Sequence, residues 1–582
     1  MAEPGVFNPP EPLRSAFAAC RRHFVLAACF SALINLLYLT PTIYLMQVYD
    51  RVLPTGGMLT LAWISLLAIA AYAALGLLSN VRGRILVRAS LRLERLIAPE
   101  VLDRLFGSRA ENIAGDPSRR LRILRDFDSL RQTITGPGFS ALMDVPWTPI
   151  YLLVSFLLHP LLGILGLVSS AALIAMALLN EKATHPMLRK ANEVMAEAHI
   201  SQDGMSRRAD VVRALGMRRA LGALQLGKRL RGVTFQARAG FMSGDYSNVI
   251  KSLRMILQSA VLGLAVYLAV KREISPGAII AASLLMGRAM APIDQMVGAW
   301  GGIIQGREAY RSLVGLFTEM PQRAERMALP APRGRIEVSD LGVTLPPDRE
   351  LLNSVSFSLQ PGELVGVVGP SGSGKTTLLS AIAGARAHTH GSIRIDGASV
   401  DDWDPDRLAR FMGYLPQDSG LLAGSVRDNI SRFSTYDGAQ PADVDAEVVR
   451  AASKAGAHEM ILQLPGGYDA ILGPGGQGVS AGQAQRIALA RALYGDPILL
   501  LLDEPNAHLD PEGQMALMNA LKDAKARGAA VILAAHRTNA LAFADYLMVM
   551  RGGKVEAFGP TDEIVKRMRP PGPAPVQGQP VQ

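Results

Sequence analysis

The sequence predicts a helical membrane domain with six transmembrane helices, followed by a water-soluble α/β domain. A chain of 582 residues is too long for one ordinary hydrophobic core, so we expect at least two domains. The hydrophobic fraction of 49% is high for a soluble protein, whereas 19% charged residues is too many for a chain embedded in lipid throughout. All the long uncharged runs precede residue 330, which predicts a division near that point.

Uncharged apolar runs define the predicted membrane helices. Residues 23–49 and 52–81 contain no Asp, Glu, Lys or Arg, and each run is long enough to cross roughly 30 Å of hydrocarbon. The run 145–180 is long enough for two helices, because His159 and Pro160 interrupt it. We expect six helices at about residues 23–48, 57–80, 140–159, 161–181, 248–270 and 275–297. The polar stretches between them are expected to be cytoplasmic extensions of these helices.

The distribution of positive charge sets the orientation of the membrane domain. The net charge is +10, and twelve arginines lie between Arg82 and Arg131. Arginine-rich connections are cytoplasmic by the positive-inside rule, so both termini are predicted to be cytoplasmic. Membrane lipid therefore accounts for the basic charge, and no nucleic-acid partner is expected. Two cysteines exclude a disulfide framework and a cysteine-built zinc site.

Composition divides the rest of the chain. We expect an N-terminal cytoplasmic segment (1–20), the membrane domain (21–317), a proline-rich linker (318–333), the soluble domain (334–569) and a disordered tail (570–582). Arg288 and Asp294 follow the apolar part of the sixth helix. They mark either the inner membrane boundary or a polar translocation cavity.

The soluble half contains a phosphate-binding loop. Residues 369–376 read GPSGSGKT, between an apolar strand at 363–368 and a helical run at 377–383. Glycines allow backbone N–H groups to turn toward phosphates, Lys375 bridges phosphate oxygens, and Thr376 ligates Mg²⁺. The sequence therefore predicts an ATP and Mg²⁺ site. Its predicted loop residues are Gly369, Pro370, Ser371, Gly372, Ser373, Gly374, Lys375, Thr376 and Thr377.

A second strand, 498–502, ends in two acids. Asp503 is placed next to the metal, and Glu504 is left to polarise an attacking water. A pair of acids at a strand end is a weak signal by itself, because it also suits a solvated strand end. Together with the phosphate loop it indicates nucleotide hydrolysis.

These motifs, in this order, resemble the ATP-binding cassette (ABC) family. Gln417 in YLPQ matches the glutamine of the Q-loop, residues 479–483 (VSAGQ) match the LSGGQ signature, and Asp510 matches the D-loop aspartate. His536 in LAAHR matches the switch histidine. The resemblance implies the fold of an ABC exporter, with a P-loop NTPase cassette after the membrane domain.

The resemblance also implies roles for individual residues. Two cassettes form a head-to-tail dimer, and each ATP lies between the phosphate loop of one subunit and Ser480, Gly482 and Gln483 of the other. Glu504 is the implied general base, assisted by Lys375. Gln417 contacts the metal together with Thr376 and Asp503, and His536 holds the γ-phosphate.

Three positions depart from the family pattern. Ala481 replaces a signature glycine, and Leu345 stands where an aromatic residue usually stacks on adenine, so base affinity or selectivity is in question. His508 occupies a D-loop position that is usually small or amide-bearing. We expect it to be a packing residue, with signalling between subunits as the alternative.

The membrane half resembles the ATPases of type I secretion systems, in the branch that exports proteases and RTX proteins. The similarity is carried by residues 49–54 (YDRVLP), 143–149 (MDVPWTP) and 503–506 (DEPN). Local explanations remain open, because the first segment also suits an external turn and the second suits a helix start. One membrane domain and one cassette form a half-transporter, so a homodimer is implied.

The resemblance implies a bacterial inner-membrane exporter of an unfolded polypeptide with a C-terminal secretion signal. Its implied partners are a periplasmic membrane-fusion adaptor, a TolC-like outer-membrane channel and the secreted protein. With about 20 residues before the first helix, we expect no peptidase domain and no leader processing. Two alternatives are a lipid or drug flippase, and a membrane-anchored ATP-dependent regulator that moves no cargo.

Overall fold

The computed structural model describes residues 10–107, 117–206, 208–320, 326, 329–345, 349–535 and 543–568. Within them the chain divides near residue 322 into two compact units, a helical unit and an α/β unit. The predicted switch residue, His536, and the predicted tail lie outside the described residues.

The N-terminal unit is entirely helical over its described residues. Its α-helices are α1 (Glu11–Leu37), α2 (Thr40–Gln47), α3 (Leu53–Thr55), α4 (Met58–Gly107), α5 (Pro117–Thr135), α6 (Pro137–Asp144), α7 (Thr148–Leu158), α8 (Pro160–Ser206), α9 (Ala209–Ala214), α10 (Arg218–Val270), α11 (Pro276–Gly298) and α12 (Trp300–Glu319). A π-helical turn, Val48–Val52, joins α2 to α3, and a 3-10 turn, Val145–Trp147, joins α6 to α7.

Six helical segments of this unit are long and apolar enough to cross a membrane. Over the described residues they are Glu11–Thr55, Met58–Gly107, Pro137–Leu158, Pro160–Ser206, Arg218–Val270 and Pro276–Gly298. The predicted fold class, with six membrane helices before an α/β domain, is confirmed. Helices α4, α8 and α10 have 50, 47 and 53 residues, about 70 to 80 Å each, so they extend well beyond a bilayer.

The helix ends differ from the sequence expectation at two places. The first span begins at Glu11 and is interrupted at Tyr38 and Leu39, because Pro41 at the start of α2 lacks an amide hydrogen for a continuous helix. The third span begins at Pro137, and Pro146 lies within the 3-10 turn instead of at the helix start. A proline thus lies at each of these two interruptions, which apolar run length alone does not show.

A buried polar network joins the first three spans. The carboxylate of Asp144 accepts hydrogen bonds from Arg82 at 2.8 Å and from the amide of Asn35 at 2.9 Å. The hydroxyl of Tyr151 donates to the side-chain oxygen of Asn35 at 2.9 Å. A charge inside a bilayer is costly unless it is paired. The ion pair therefore lowers the cost of placing the charges of Arg82 and Asp144 directly beside uncharged apolar runs.

The connections at the opposite ends of the spans also contact each other. The carboxylate of Asp50, in the π-helical turn, accepts hydrogen bonds from Ser275 Oγ at 2.6 Å and from the backbone N–H of Gly277 at 2.7 Å. A Cβ on Gly277 would lie 2.7 Å from this carboxylate, so only glycine fits. His159 and Glu273 pair at 3.0 Å. Asp50 therefore caps the start of α11.

The C-terminal unit is an α/β domain. Its strands are β1 (Ile336–Leu345), β2 (Arg349–Leu359), β3 (Leu364–Val368), β4 (His390–Ile395), β5 (Ala398–Ser399), β6 (Met412–Leu415), β7 (Gly424–Ser425), β8 (Ile471–Leu472), β9 (Leu499–Asp503), β10 (Ala530–Ala534), β11 (Tyr546–Arg551) and β12 (Lys554–Pro560). Its α-helices are α13 (Lys375–Ile382), α14 (Pro405–Arg410), α15 (Val426–Ile430), α16 (Pro441–Lys454), α17 (His458–Leu462), α18 (Ala481–Leu493), α19 (Pro511–Ala526) and α20 (Thr561–Met568).

A six-stranded sheet organises this unit. Its strand order is β12-β11-β3-β10-β9-β6, and β11, β3, β10, β9 and β6 run parallel. β9 and β10 consist entirely of buried residues, as expected for central strands covered on both faces. A second, antiparallel sheet has the order β2-β1-β4-β5. Parallel strands bring their carboxyl ends to one edge, where loops from distant segments converge.

Candidate functional site

The predicted catalytic motifs converge at the carboxyl edge of the parallel sheet. The phosphate loop follows β3, Asp503 ends β9, and Gln417 lies two residues beyond the end of β6. Strand register places Asp503 opposite Ala534 of β10, and Leu415 of β6 opposite Leu502 of β9. The central strands therefore bring together motifs that are separated by up to 134 residues in the sequence.

The phosphate loop is closed by its own lysine. Lys375 Nζ donates to the carbonyl oxygens of Gly369 at 2.8 Å and Pro370 at 3.2 Å. Gly374 has φ +103°, and a Cβ there would lie 2.8 Å from the side chain of Leu352. The backbone path of this loop therefore requires glycine at residue 374.

Two side chains of the loop, a buried hydroxyl and a buried ammonium, favour binding of an anion. The hydroxyl of Ser373 is buried and makes no hydrogen bond within the described residues. Burial lowers the pKa of Lys375, although the nearby carboxylates of Glu504 and Asp503 act to raise it. An anion bound in the loop would compensate the buried ammonium and give the hydroxyl a partner.

The two acids at the end of β9 differ in environment. Asp503 has no solvent exposure, whereas Glu504 is half-buried and has φ +51°. The backbone N–H of Glu504 donates to the carbonyl of Ala534 at 2.9 Å, which attaches the turn to β10. A left-handed backbone at a non-glycine residue is strained, and this contact holds it in place. This left-handed conformation ends the extended backbone of β9, so the chain changes direction at Glu504.

The donor set fits Mg²⁺ held together with phosphate. Asp503 offers a buried carboxylate, and the exposed residues Thr376, in the first turn of α13, and Gln417, after β6, offer a hydroxyl and an amide oxygen. Within the described residues, no group of three or more His, Cys, Asp or Glu side chains could hold a metal alone. One carboxylate with a hydroxyl and an amide is typical of Mg²⁺ sites that take their other ligands from substrate phosphates and water.

The signature segment forms a helix N-terminus. Ser480 Oγ accepts a hydrogen bond from the backbone N–H of Gln483 at 3.3 Å, and the side chain of Gln483 accepts one from the N–H of Ser480 at 2.8 Å. This reciprocal capping box begins α18 and directs its free N–H groups outward. A Cβ on Gly482 would lie 2.9 Å from the carbonyl oxygen of His508, so the D-loop limits residue 482 to glycine.

A surface cavity of about 640 Å³ lies beside this helix N-terminus. Ser480, Gly482, Gln483 and His508 line it, and no residue of the phosphate loop does. The signature segment and the phosphate loop of one chain therefore do not share this cavity. His508 is exposed with φ +63°, so it does not pack in the core of its own chain, and its role between subunits stays a prediction.

The D-loop aspartate links two helices. Asp510 caps α19 by accepting from the N–H of Gly513 at 2.9 Å, and it also pairs with Arg486 of α18. The Gly513 hydrogen bond, and then Arg486, lower the pKa of Asp510. The signature helix and the D-loop are therefore joined by an ion pair.

Two arginines that the sequence analysis did not single out bind backbone carbonyl oxygens in and around the Q-loop, β6 and α18. Arg491, at the end of α18, donates to the carbonyl oxygens of Ser419 at 2.5 Å and Gly420 at 2.8 Å. Arg432 donates to five carbonyl oxygens, those of Ala409, Met412, Arg491, Ala492 and Tyr494. Burial lowers the pKa of Arg432 to about 10. Their acceptors are backbone groups, which leave no residue pattern in the sequence.

The expected adenine contact is half-buried at the end of a strand. Leu345 is the last residue of β1 and pairs with Arg349 at the start of β2. Its side chain is aliphatic, so it offers an apolar surface without π-stacking.

Fold and site together define an ABC exporter. The family model "ABC transporter transmembrane region" matches residues 24–293, and the model "ABC transporter" matches residues 352–507. A solved structure, that of a bacterial Atm1-family ABC exporter with ATP bound, superimposes with a TM-score of 0.81 over 94% of this chain and 97% of that one. At 22% sequence identity this likeness shows the fold alone.

Sequence relatives define the family more narrowly. The chain is 39% identical over 560 residues to the type I secretion system ATP-binding protein PrsD of Rhizobium meliloti, covering 96% of this chain and 94% of the relative. It is 31% identical to the cyclolysin secretion/processing ATP-binding protein CyaB of Bordetella pertussis, with 90% and 73% covered. It is 27% identical to the alpha-hemolysin translocation ATP-binding protein HlyB of Escherichia coli, with 94% and 76% covered.

The chain belongs to the ATP-binding proteins of type I secretion systems. It is a multi-pass protein of the inner membrane with a cytoplasmic nucleotide-binding domain, and an ATPase whose hydrolysis is coupled to transport. These conclusions confirm the family, the enzyme class and the localisation that the sequence motifs predict.

Proposed function

We propose that this protein exports an unfolded polypeptide with a C-terminal secretion signal across the inner membrane, as the ABC component of a type I secretion system. The observation that carries the proposal is the 39% identity to a type I secretion ATP-binding protein along nearly the whole of both chains. The similarity includes the membrane half as well as the ATPase half.

A homodimer completes the ATP site in this proposal. No residue of the phosphate loop lines the signature cavity of the same chain, and in this proposal the second subunit supplies the phosphate loop that faces the cavity. In a head-to-tail dimer, the N–H groups at the start of α18 meet the γ-phosphate held by the phosphate loop of the other subunit. A helix N-terminus stabilises an anion by its unpaired N–H groups and dipole. ATP thus joins the two cassettes, and hydrolysis releases them.

The residues at the sheet edge divide the work of hydrolysis. Lys375 and the loop N–H groups bind the β- and γ-phosphates, and Thr376, Asp503 and Gln417 hold Mg²⁺. When bound, Mg²⁺ would neutralise part of the negative charge of the phosphates. Glu504 accepts a proton from the attacking water as its oxygen bonds to the γ-phosphorus and the bond to the β-phosphate oxygen breaks. His536 is proposed to hold the γ-phosphate.

Export beyond the inner membrane requires further proteins. We propose a periplasmic membrane-fusion adaptor and a TolC-like outer-membrane channel as partners, with the secreted protein as cargo. The connections between spans on the outer side are short: residues 48–57, His159 and 271–275. They offer little surface for a periplasmic partner, so an adaptor with its own membrane helix fits this chain best.

The proposal is tested by reconstitution in proteoliposomes with the adaptor and the channel. We expect ATP-dependent delivery of a candidate cargo with its C-terminal segment, and no delivery of the same cargo without that segment. Glu504→Gln is the control for dependence on hydrolysis. ATPase stimulation by phospholipid or amphiphile, without stimulation by cargo, would favour a flippase. ATP hydrolysis with no delivery of any cargo would favour a regulatory subunit.

A further inference from the structure

The sixth span contains an arginine without an acidic partner. The guanidinium of Arg288 in α11 lies 3.9 Å above the ring of Tyr38. Over the described part of the chain, this ring contact is its one polar contact, without a hydrogen bond or an ion pair. Its side chain is half-buried. Because a guanidinium stays charged in proteins, this is a cation that the chain itself does not neutralise.

The neighbouring acids of the membrane unit are already engaged. Asp144 binds Arg82 and Asn35, and Asp294, one and a half turns beyond Arg288 in α11, pairs with Arg254 of α10. Two acids thus match two arginines, and Arg288 is the additional positive charge in this part of the bundle. The cation–π contact with Tyr38 lowers the desolvation cost of Arg288 but does not neutralise its charge.

The position of Arg288 is inside the predicted bilayer. It follows Pro276 by twelve residues, so it lies about 18 Å along α11 from the outer end of the span. Helix α11 is the most buried of the six candidate spans. Its neighbours Leu285, Ala289 and Met290 are buried, which places Arg288 beside the helix packing and not on a lipid-facing surface alone. Ionisable groups at such positions commonly mark a substrate pathway.

We propose that Arg288 binds carboxylates of the exported polypeptide, so that acidic segments of the cargo are favoured in the membrane pathway. This proposal rests on the function proposed above and names the chemistry by which the membrane half recognises its substrate. The planar guanidinium can form two parallel hydrogen bonds to a carboxylate while its face stays on Tyr38. An Asp, a Glu or the terminal carboxylate of the cargo would suit it equally.

The binding test uses the nucleotide-free full-length protein in phosphatidylcholine nanodiscs. The probes are three Gly/Ser peptides that carry Asp, Asn or Lys at the same positions, with an uncharged fluorophore, and binding is read by anisotropy. We expect the wild type to bind the Asp peptide at least roughly ten-fold more tightly than the Asn peptide. Arg288→Gln should remove this ratio, Arg288→Lys should keep part of it, and Arg288→Glu should favour the Lys peptide.

A matched control separates this site from general cation effects. Lys271, in the turn before α11, also stacks on a tyrosine, 4.7 Å from the ring of Tyr267. Lys271→Gln should leave the peptide ratios unchanged. Because Arg288→Gln could disturb assembly, the reversed preference of Arg288→Glu is the decisive result, since misfolding cannot produce it.

Two results would overturn the proposal. An Asp-to-Asn ratio that is the same in wild type, Arg288→Gln and Arg288→Glu would mean that Arg288 is neutralised by another group, such as a carboxylate of the second subunit. The second result is that Arg288→Gln changes the effect of phosphatidylglycerol nanodiscs on peptide affinity, while the Asp-to-Asn ratio stays unchanged. This result would assign the site to lipid phosphate.

The binding and delivery experiments together separate this inference from the proposed function. If the wild type delivers cargo and the peptide affinity ratios do not depend on Arg288, this inference fails while polypeptide export stands. If the peptide affinity ratios depend on Arg288 and no cargo is delivered, polypeptide export fails instead.

Discussion

Replacement of Glu504 by glutamine is the sharpest test of the ATP site. The side chains have nearly the same size, and the turn that presents residue 504 is held by its backbone N–H bond to Ala534 at 2.9 Å. That bond does not depend on the carboxylate, so the substitution should keep the turn and the phosphate loop in place. It removes only the group that can accept a proton from water.

The magnitude follows from the role of a general base. Such a group contributes about 10² to 10⁴ in rate, which corresponds to about 2.7 to 5.5 kcal/mol of activation free energy. ATP binding should persist, because Lys375 and the loop N–H groups are unchanged. We therefore expect turnover to fall by about two to four orders of magnitude and the ATP-bound dimer to accumulate.

The assay combines phosphate release with light scattering of the detergent-solubilised protein. Glu556→Gln is the matched control, because Glu556 lies in β12 outside the signature cavity with its side chain 55% exposed. The control should keep wild-type turnover. Near-normal hydrolysis by Glu504→Gln would remove Glu504 from the catalytic role. A monomer under saturating Mg-ATP, with hydrolysis blocked, would refute the shared site.

Three further predictions concern the nucleotide-binding domain. Leu345→Tyr should lower the KM for ATP roughly five-fold in phosphate-release kinetics, because base stacking contributes about 1 kcal/mol or more; an unchanged KM would place adenine elsewhere. Arg432→Lys should destabilise the protein by about 3 kcal/mol in chemical unfolding, because one ammonium cannot satisfy five carbonyl oxygens; a loss within error would contradict this. Asp510 has a lowered pKa, so its stabilisation is present above its unfolded pKa of about 3.9 and is lost as the pH falls through its folded pKa. The thermal midpoints of wild type and Asp510→Asn should therefore converge on acidification from pH ~5 to ~3, and a constant difference would disprove the linkage.

The catalytic motifs were predictable because their chemistry is local. A glycine-rich turn before a helix and two acids after an apolar strand each lie within about ten residues, so the sequence displays them directly. The two arginines that bind backbone carbonyl oxygens in and around the Q-loop, β6 and α18 were not predictable. Arg491 and Arg432 bind backbone carbonyl oxygens, and every residue has a carbonyl, so no side-chain pattern marks the acceptors. The exposure of His508 was not predictable either, because it depends on the conformation of the D-loop backbone.

Run length and motif order in the sequence alone determined the six spans, the cassette and the ATP chemistry. Uncharged runs must match the thickness of a bilayer, and phosphate binding needs consecutive backbone N–H groups, so both constraints act along the chain. Only the tertiary structure decided which charges neutralise each other. Asp144 meets Arg82 from 62 residues away and Asn35 from 109 residues away. Such pairs depend on how the helices pack, and Arg288 is identified as the remaining cation only once they are known.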